Sequence, residues 1–250
     1  MGKMESIVIY DSKPSLKDPL FIECLPGIGN VGKTAGDFLA DSLKAEKFAT
    51  IYSKHFPSQV LLDNENIVEL LNNQLWCAKD VNGRDIIFLR GDCQGSTQEG
   101  QFELCRDILD IVIGYGAAET ITLGGYGTGM MVESPRVFGA VTDLKIKKEY
   151  IGYGVEFPPG DPSAGIIGAS GVFVGLGKIH GIPSICLMGE TSGYFIDHKS
   201  AMAVVNVLVK KLGVEIDLKE LRDKSEQIDE LTAKVKAIEG RDRQDLGYIG

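Results

Sequence analysis

Pro26-Gly27-Ile28-Gly29-Asn30-Val31-Gly32 is the most informative segment of the chain. It follows the apolar run 20–25 and opens the amphipathic segment 30–45, and its glycines match the G-x-G-x-x-G pattern of dinucleotide-binding turns. A nicotinamide or flavin site also needs an acidic residue about 20 positions further on, to hold the ribose. The second apolar run, 48–52, leads instead into 53–57, which contains no carboxylate. We therefore expect a tight strand-to-helix turn and predict no cofactor.

Short apolar runs alternate with amphipathic segments on both sides of this turn, which is the order of an α/β fold. A strand, a helix and a strand at the spacing of 85–123 are typical of a crossover in a parallel sheet. Runs 60–62 and 67–77 flank a polar turn and predict a β-meander beside the main sheet. The glycine- and proline-rich segment 150–171 predicts a long surface loop that leads into a helix. The other predicted strands are 7–10, 20–25, 49–52 and 184–188, and the predicted helices are about 30–45, 99–114 and 198–212.

The chain divides into a single α/β domain at 1–213, a C-terminal amphipathic helix at 214–240 and a flexible tail at 241–250. In the helix, apolar residues recur at heptad spacing and form one stripe. This stripe either packs on its own domain or makes a helix–helix contact between subunits. The candidate oligomerisation residues are Leu221, Ile228, Leu231, Val235 and Ile238.

Composition and charge exclude several classes of protein. The chain has 250 residues and a formal net charge of −9, and it lacks the clustered Lys and Arg that a nucleic-acid surface needs. Its five cysteines are widely spaced and mostly lie in apolar runs, which indicates reduced thiols and a cytoplasmic protein. No apolar run approaches the roughly 18 residues that span a bilayer, so no membrane partner is predicted.

Three further glycine clusters follow predicted strands, at 91–95, 124–129 and 189–193. Ligands bind at the carboxyl ends of strands in open α/β sheets, so a candidate cleft is expected there, with Glu190 as its strongest acid. Cys93 lacks an identifiable base, and the three histidines lack metal-ligand spacing, so no catalytic residue and no metal are predicted. Asp197, beside His198, is expected to cap a helix. The candidate cleft residues are Gly27, Gly29, Asn30, Asp92, Gly125, Thr128 and Glu190.

The chain carries characteristic blocks at 27–32, 101–110, 122–126, 168–171 and 181–191. Together these blocks resemble the archaeal branch of the proteasome assembly chaperone (PAC2-like) family, over nearly the whole chain to about residue 212. The resemblance implies a phosphorylase- or hydrolase-like fold with a mixed, largely parallel central sheet flanked by helices, and no established catalysis. It also implies a homo-oligomer, a tetramer or a pentamer, that assembles or activates the proteasome core particle without ATP by binding its α-subunits.

In that family a flexible C-terminal tail ending in a hydrophobic residue, a tyrosine and any residue enters pockets of the α-ring. Here Tyr248 is third from the end and follows Gly247, so the match is imperfect. The resemblance implies Leu246, Tyr248, Ile249 and Gly250 as partner-binding residues. The alternatives are another protein complex bound through the same helix, or a small-molecule-binding protein or enzyme that uses the cleft.

Overall fold

The computed structural model describes residues 6–159, 165–228 and 230. They form one eight-stranded sheet with helices on both faces, and a separate two-stranded hairpin. The strands are β1 (Ile7–Tyr10), β2 (Leu20–Glu23), β3 (Glu46–Tyr52), β4 (Val60–Leu62), β5 (Val68–Leu70), β6 (Asn73–Val81), β7 (Arg84–Gly91), β8 (Glu119–Gly127), β9 (Val137–Val141) and β10 (Ser184–Thr191).

The large sheet has the order β1-β3-β6-β7-β2-β8-β10-β9. Its four central strands, β7, β2, β8 and β10, run parallel. The outer pairs β1–β3, β3–β6, β6–β7 and β9–β10 are antiparallel. The α/β class with a mixed sheet is therefore confirmed, and the parallel strands occupy its centre.

Helices pack on both faces because each presents an apolar stripe to the sheet. In α1, for example, Val31, Ala35 and Leu39 recur every four residues and are fully buried. Helices α1 and α5 pack together on one face, and α2 and α4 on the other. The helices are α1 (Val31–Ser42), α2 (Gln98–Gly114), α3 (Leu144–Ile151), α4 (Ala169–His180), α5 (His198–Leu212) and α6 (219–228). Among the described residues, no helix is long and apolar enough to cross a membrane.

Two regions differ from the sequence prediction. The β-meander is divided, because β4 and β5 form the separate hairpin while β6 pairs with β3 and β7 inside the large sheet. The predicted loop 150–171 is shorter, since the helix α3 ends at Ile151 and α4 begins at Ala169. Both α3 and the preceding strand β9 were missed in the sequence.

The C-terminal helix packs on its own domain where the structure describes it. Leu221 is only 2% exposed and belongs to the apolar core on the α1–α5 face. Its side chain is therefore not available to a second subunit, which corrects its place among the oligomerisation residues. Ile228 is half-buried. Leu231, Val235, Ile238 and the predicted tail residues lie outside the described residues.

Candidate functional site

The glycine-rich turn connects β2 to α1 through a short 3-10 turn at Ile28–Asn30. Gly29 has φ +61°, and Asn30 also adopts the left-handed conformation, with φ 49°. The Asn30 amide donates to the Gly27 carbonyl at 3.0 Å, and the Asp197 amide donates to the Gly29 carbonyl at 2.9 Å. The turn is thus fixed by backbone hydrogen bonds, as expected for an architectural element.

The glycines also let backbone segments approach closely. A Cβ atom on Gly32 would overlap the carbonyl oxygen of Leu123 in β8, and one on Gly125 would overlap the carbonyl oxygen of Ile28. A Cβ on Gly29 would lie 2.7 Å from the Thr191 hydroxyl. The predicted strand-to-helix turn is confirmed, and its glycines serve its packing on β8 and β10.

Glu190, the strongest candidate acid, is held by an arginine. Its Oε1 and Oε2 accept hydrogen bonds from Nη2 and Nε of Arg136 at 2.9 and 3.0 Å. These hydrogen bonds lower the pKa of Glu190, so its carboxylate stays ionised near neutral pH. Glu190 therefore anchors the start of β9, which corrects the expectation of an acid in the cleft.

Asp92 and Thr128 are likewise occupied by local contacts. The Asp92 carboxylate accepts from the Asn72 amide at 3.0 Å, at the end of β7. The Thr128 hydroxyl lies 2.9 Å from the Met130 carbonyl and 3.2 Å from that of Thr191. Since β7 and β10 are separated by β2 and β8, Asp92 and Glu190 do not converge on one site.

A cavity of about 350 Å³ does lie at the carboxyl ends of β2, β8 and β10. It includes Gly27 and Gly125 from the predicted cleft, while its walls are mainly apolar. Its polar groups include Gln94, whose amide bridges the Pro26 carbonyl and the Ala169 amide, and the Ser170 hydroxyl. The remaining lining residues are Leu25, Ile28, Leu123, Gly124, Ile166, Ile167, Gly168, Cys186 and Met188.

Glu23, which the sequence did not predict as a site residue, lies beside this cavity and contacts its lining residues Leu25 and Ser170. It is fully buried at the end of β2, and its carboxylate accepts from the Ser170 hydroxyl at 2.8 Å and from the Leu25 amide at 3.0 Å. Burial raises the pKa of Glu23 to about 7. The signal in the sequence was a single acid inside the apolar run 20–25.

The other titratable candidates have structural surroundings. Burial raises the pKa of the Cys93 thiol to about 11, so it is protonated at neutral pH and a poor nucleophile. His55 pairs with Glu103 at 2.9 Å. Asp197 accepts from the Ser200 amide at 2.9 Å, which confirms it as the cap of α5. Within the described ranges, no three His, Cys, Asp or Glu residues are grouped as metal ligands.

Known proteins show clear similarity to this chain. The model of the PAC2 family matches residues 21–236. Uncharacterized protein MJ1210 of Methanocaldococcus jannaschii is 34% identical over 100% of this chain and 99% of its own length. PbaB of Pyrococcus furiosus, described as an archaeal proteasome activator, is 38% identical, with a TM-score of 0.87 over 94% of this chain and 100% of PbaB.

A second solved structure from Pyrococcus furiosus shares the fold. PbaA, described as an archaeal homolog of proteasome-assembly chaperone, has a TM-score of 0.74 and 24% identity. The match covers 97% of this chain and 96% of PbaA.

Proposed function

Because the chain belongs to the PAC2 family, we propose that it is a cytoplasmic, homo-oligomeric activator or assembly chaperone that binds the α-subunits of the proteasome core particle without ATP. The observation that carries this proposal is the similarity to PbaB, which extends over all of that activator at 38% identity. The contacts of Glu190 and the raised pKa of Cys93 support a binding role over acid or nucleophilic catalysis.

The proposed contact is made by the C-terminal tails. Leu246, Tyr248 and Ile249 supply two apolar side chains and an amphipathic ring, which are suited to a pocket between subunits. One such peptide binds weakly, but several tails on one oligomer act together. Avidity then raises the apparent affinity by about a hundredfold or more when the spacing of tails and pockets agrees.

Removing the tail tests this proposal. Deletion of 241–250, or Tyr248→Ala, is expected to weaken binding to proteasome α-rings by about thirtyfold or more, because an aromatic anchor of an interface contributes at least about 2 kcal/mol. A pull-down with purified α-rings, followed by titration, measures the loss. Tyr194→Ala is the matched control, since Tyr194 is a 79% exposed tyrosine on the body of the domain. Equal binding by the native and truncated chains would refute the tail contact.

A second candidate function is binding of a small apolar molecule in the cavity beside Glu23. The favouring observation is its volume of about 350 Å³, within the range of small-molecule sites, combined with apolar walls and the Ser170 hydroxyl. Gly124 leaves room there, since a Cβ atom would meet its nearest neighbours only at 3.8 and 3.9 Å.

Filling the cavity tests this second function. A bound apolar alcohol or aromatic compound at 100 times its Kd is expected to stabilise the native protein by about 2.7 kcal/mol, seen as a higher Tm. Gly124→Leu is expected to abolish the increase, whereas Gly124→Ala retains it. If no member of a panel of such compounds raises the Tm of the native chain, this function is excluded.

A further inference from the structure

The β4–β5 hairpin carries apolar side chains that the described part of its own domain leaves exposed. A two-stranded hairpin is at best marginally stable in water when nothing packs on it. Every residue from 60 to 70 is exposed. The exposed fractions are 48% for Val60, 42% for Leu61, 62% for Leu62, 58% for Ile67, 64% for Val68 and 58% for Leu70.

The edge strand β1 is also open and apolar. Among the described residues it pairs with β3 alone, and it contains neither charge nor proline. Ile7 is 66% exposed, Ile9 52% and Tyr10 39%. Proteins usually protect such an edge with charges, prolines or a covering segment, because its unpaired backbone groups bind other strands.

The opposite edge of the same sheet is covered. The Gly139 amide donates to the Glu156 carbonyl at 2.9 Å, and the Glu156 amide donates to the Val137 carbonyl at 2.8 Å. The chain after α3 therefore protects β9, whereas β1 has no equivalent cover in the described residues.

The hairpin and β1 adjoin at one depression. Ile7 and Leu70 line the same depression of about 320 Å³, together with Phe56 and Leu71. The nine apolar residues named on β1 and on the hairpin are each 39% to 66% exposed, and such a concentration of open apolar side chains is typical of a protein–protein interface.

We propose that this β1–hairpin surface joins two copies of the chain about a two-fold axis. A surface this apolar would drive aggregation if it awaited a foreign partner, whereas a second copy is present from synthesis onward. Two identical edge strands can pair antiparallel across such an axis, so that the same patch contacts itself.

Charge also favours a second copy as the occupant. The hairpin carries the exposed acids Asp63, Glu65 and Glu69 and no basic residue between 59 and 70. The exposed Lys13 lies beside β1. In two copies related by a two-fold axis, each copy therefore presents an acidic hairpin and a basic residue beside β1 to the other copy. Since this surface builds the homo-oligomer, the assignment rests on the proposed function in one respect, which is that the chain self-associates.

Lysine substitutions on the surface test the assignment. Ile9→Lys, and separately Leu62→Lys with Val68→Lys, are expected to halve the native mass measured by light scattering or native mass spectrometry. Leu144→Lys and Ile179→Lys are matched controls, because these residues are 73% and 77% exposed on α3 and α4 and should leave the mass unchanged. Circular dichroism melts check that each variant is folded. A monomeric native chain, or an unchanged mass in both surface variants, would overturn the assignment.

The same variants separate this assignment from the proposed function. Dissociated copies lose avidity, so we expect about a hundredfold weaker binding to α-rings when the mass is halved. Tyr248→Ala should weaken α-ring binding by the thirtyfold or more given above and leave the mass intact. If the tail variant binds normally while the surface variants dissociate, the proposed function fails and the β1–hairpin interface stands.

Discussion

The variant Glu23→Gln is expected to gain stability relative to the native chain as the pH rises from about 4.5 to about 7. In the folded protein, burial raises the pKa of Glu23 from 4.5 to about 7. The folded state therefore keeps a proton that the unfolded state has already lost, and the stability of the native chain falls across this window by about 1.4 kcal/mol per pH unit, on the order of 3 kcal/mol in all. Glutamine does not ionise, so the variant lacks this loss.

Urea titrations at pH 5, 6, 7 and 8 measure the difference in the free energy of unfolding between the two chains. The difference should rise to about pH 7 and then level off. Glu190→Gln is the matched control: hydrogen bonding to Arg136 lowers the pKa of Glu190, so its contribution is present above about pH 4.5 and should stay constant over the same range. A constant difference for Glu23→Gln would show that the buried carboxyl is not protonated in this window.

The variant Gly32→Ala is expected to lose about 3 kcal/mol of folding stability, one of the larger costs of overpacking a core. Its added methyl group would overlap the carbonyl oxygen of Leu123, a backbone atom that can move only if β8 moves. For a domain of this size the loss corresponds to a Tm lower by roughly 6 to 12 °C. Calorimetry or a circular dichroism melt measures the change.

Gly27→Ala, in the same turn, is the control for this prediction. A Cβ atom on Gly27 has no neighbour within 4 Å, and the residue already has an extended backbone with φ −154°. We expect its stability to stay within about 0.5 kcal/mol of the native chain. Equal melting temperatures for the two alanine variants would mean that α1 can move away from β8 without cost.

Local patterns predicted the turn and the main elements because their causes are local. The glycines of 26–32 are required by backbone geometry, and Asp197 caps α5 by contacting an amide three residues away. The pair β9 and α3 was missed because Val137–Val141 is short and interrupted by Gly139, and the sequence of α3, with three lysines in eight residues, has only a weak apolar stripe.

The candidate cleft was harder to predict because it depends on strand order. Asp92 and Glu190 each follow a parallel strand, but the crossovers place these strands at positions four and seven of the sheet. Glu23 was missed because its position inside an apolar run indicates only that it is buried. That position gives no information about the cavity beside it. Heptad spacing at Leu221 predicted an apolar stripe correctly without indicating which core the side chain enters.

The two unlike edges of the sheet determine how far edge pairing can proceed. A sheet with two open edges can add strands indefinitely and grow into a fibre. Among the described residues β1 is open, whereas β9 is covered by 155–157. Pairing through β1 therefore stops after one event. Assemblies built on this contact contain an even number of copies, so a four-membered assembly is compatible with it and a five-membered ring is not.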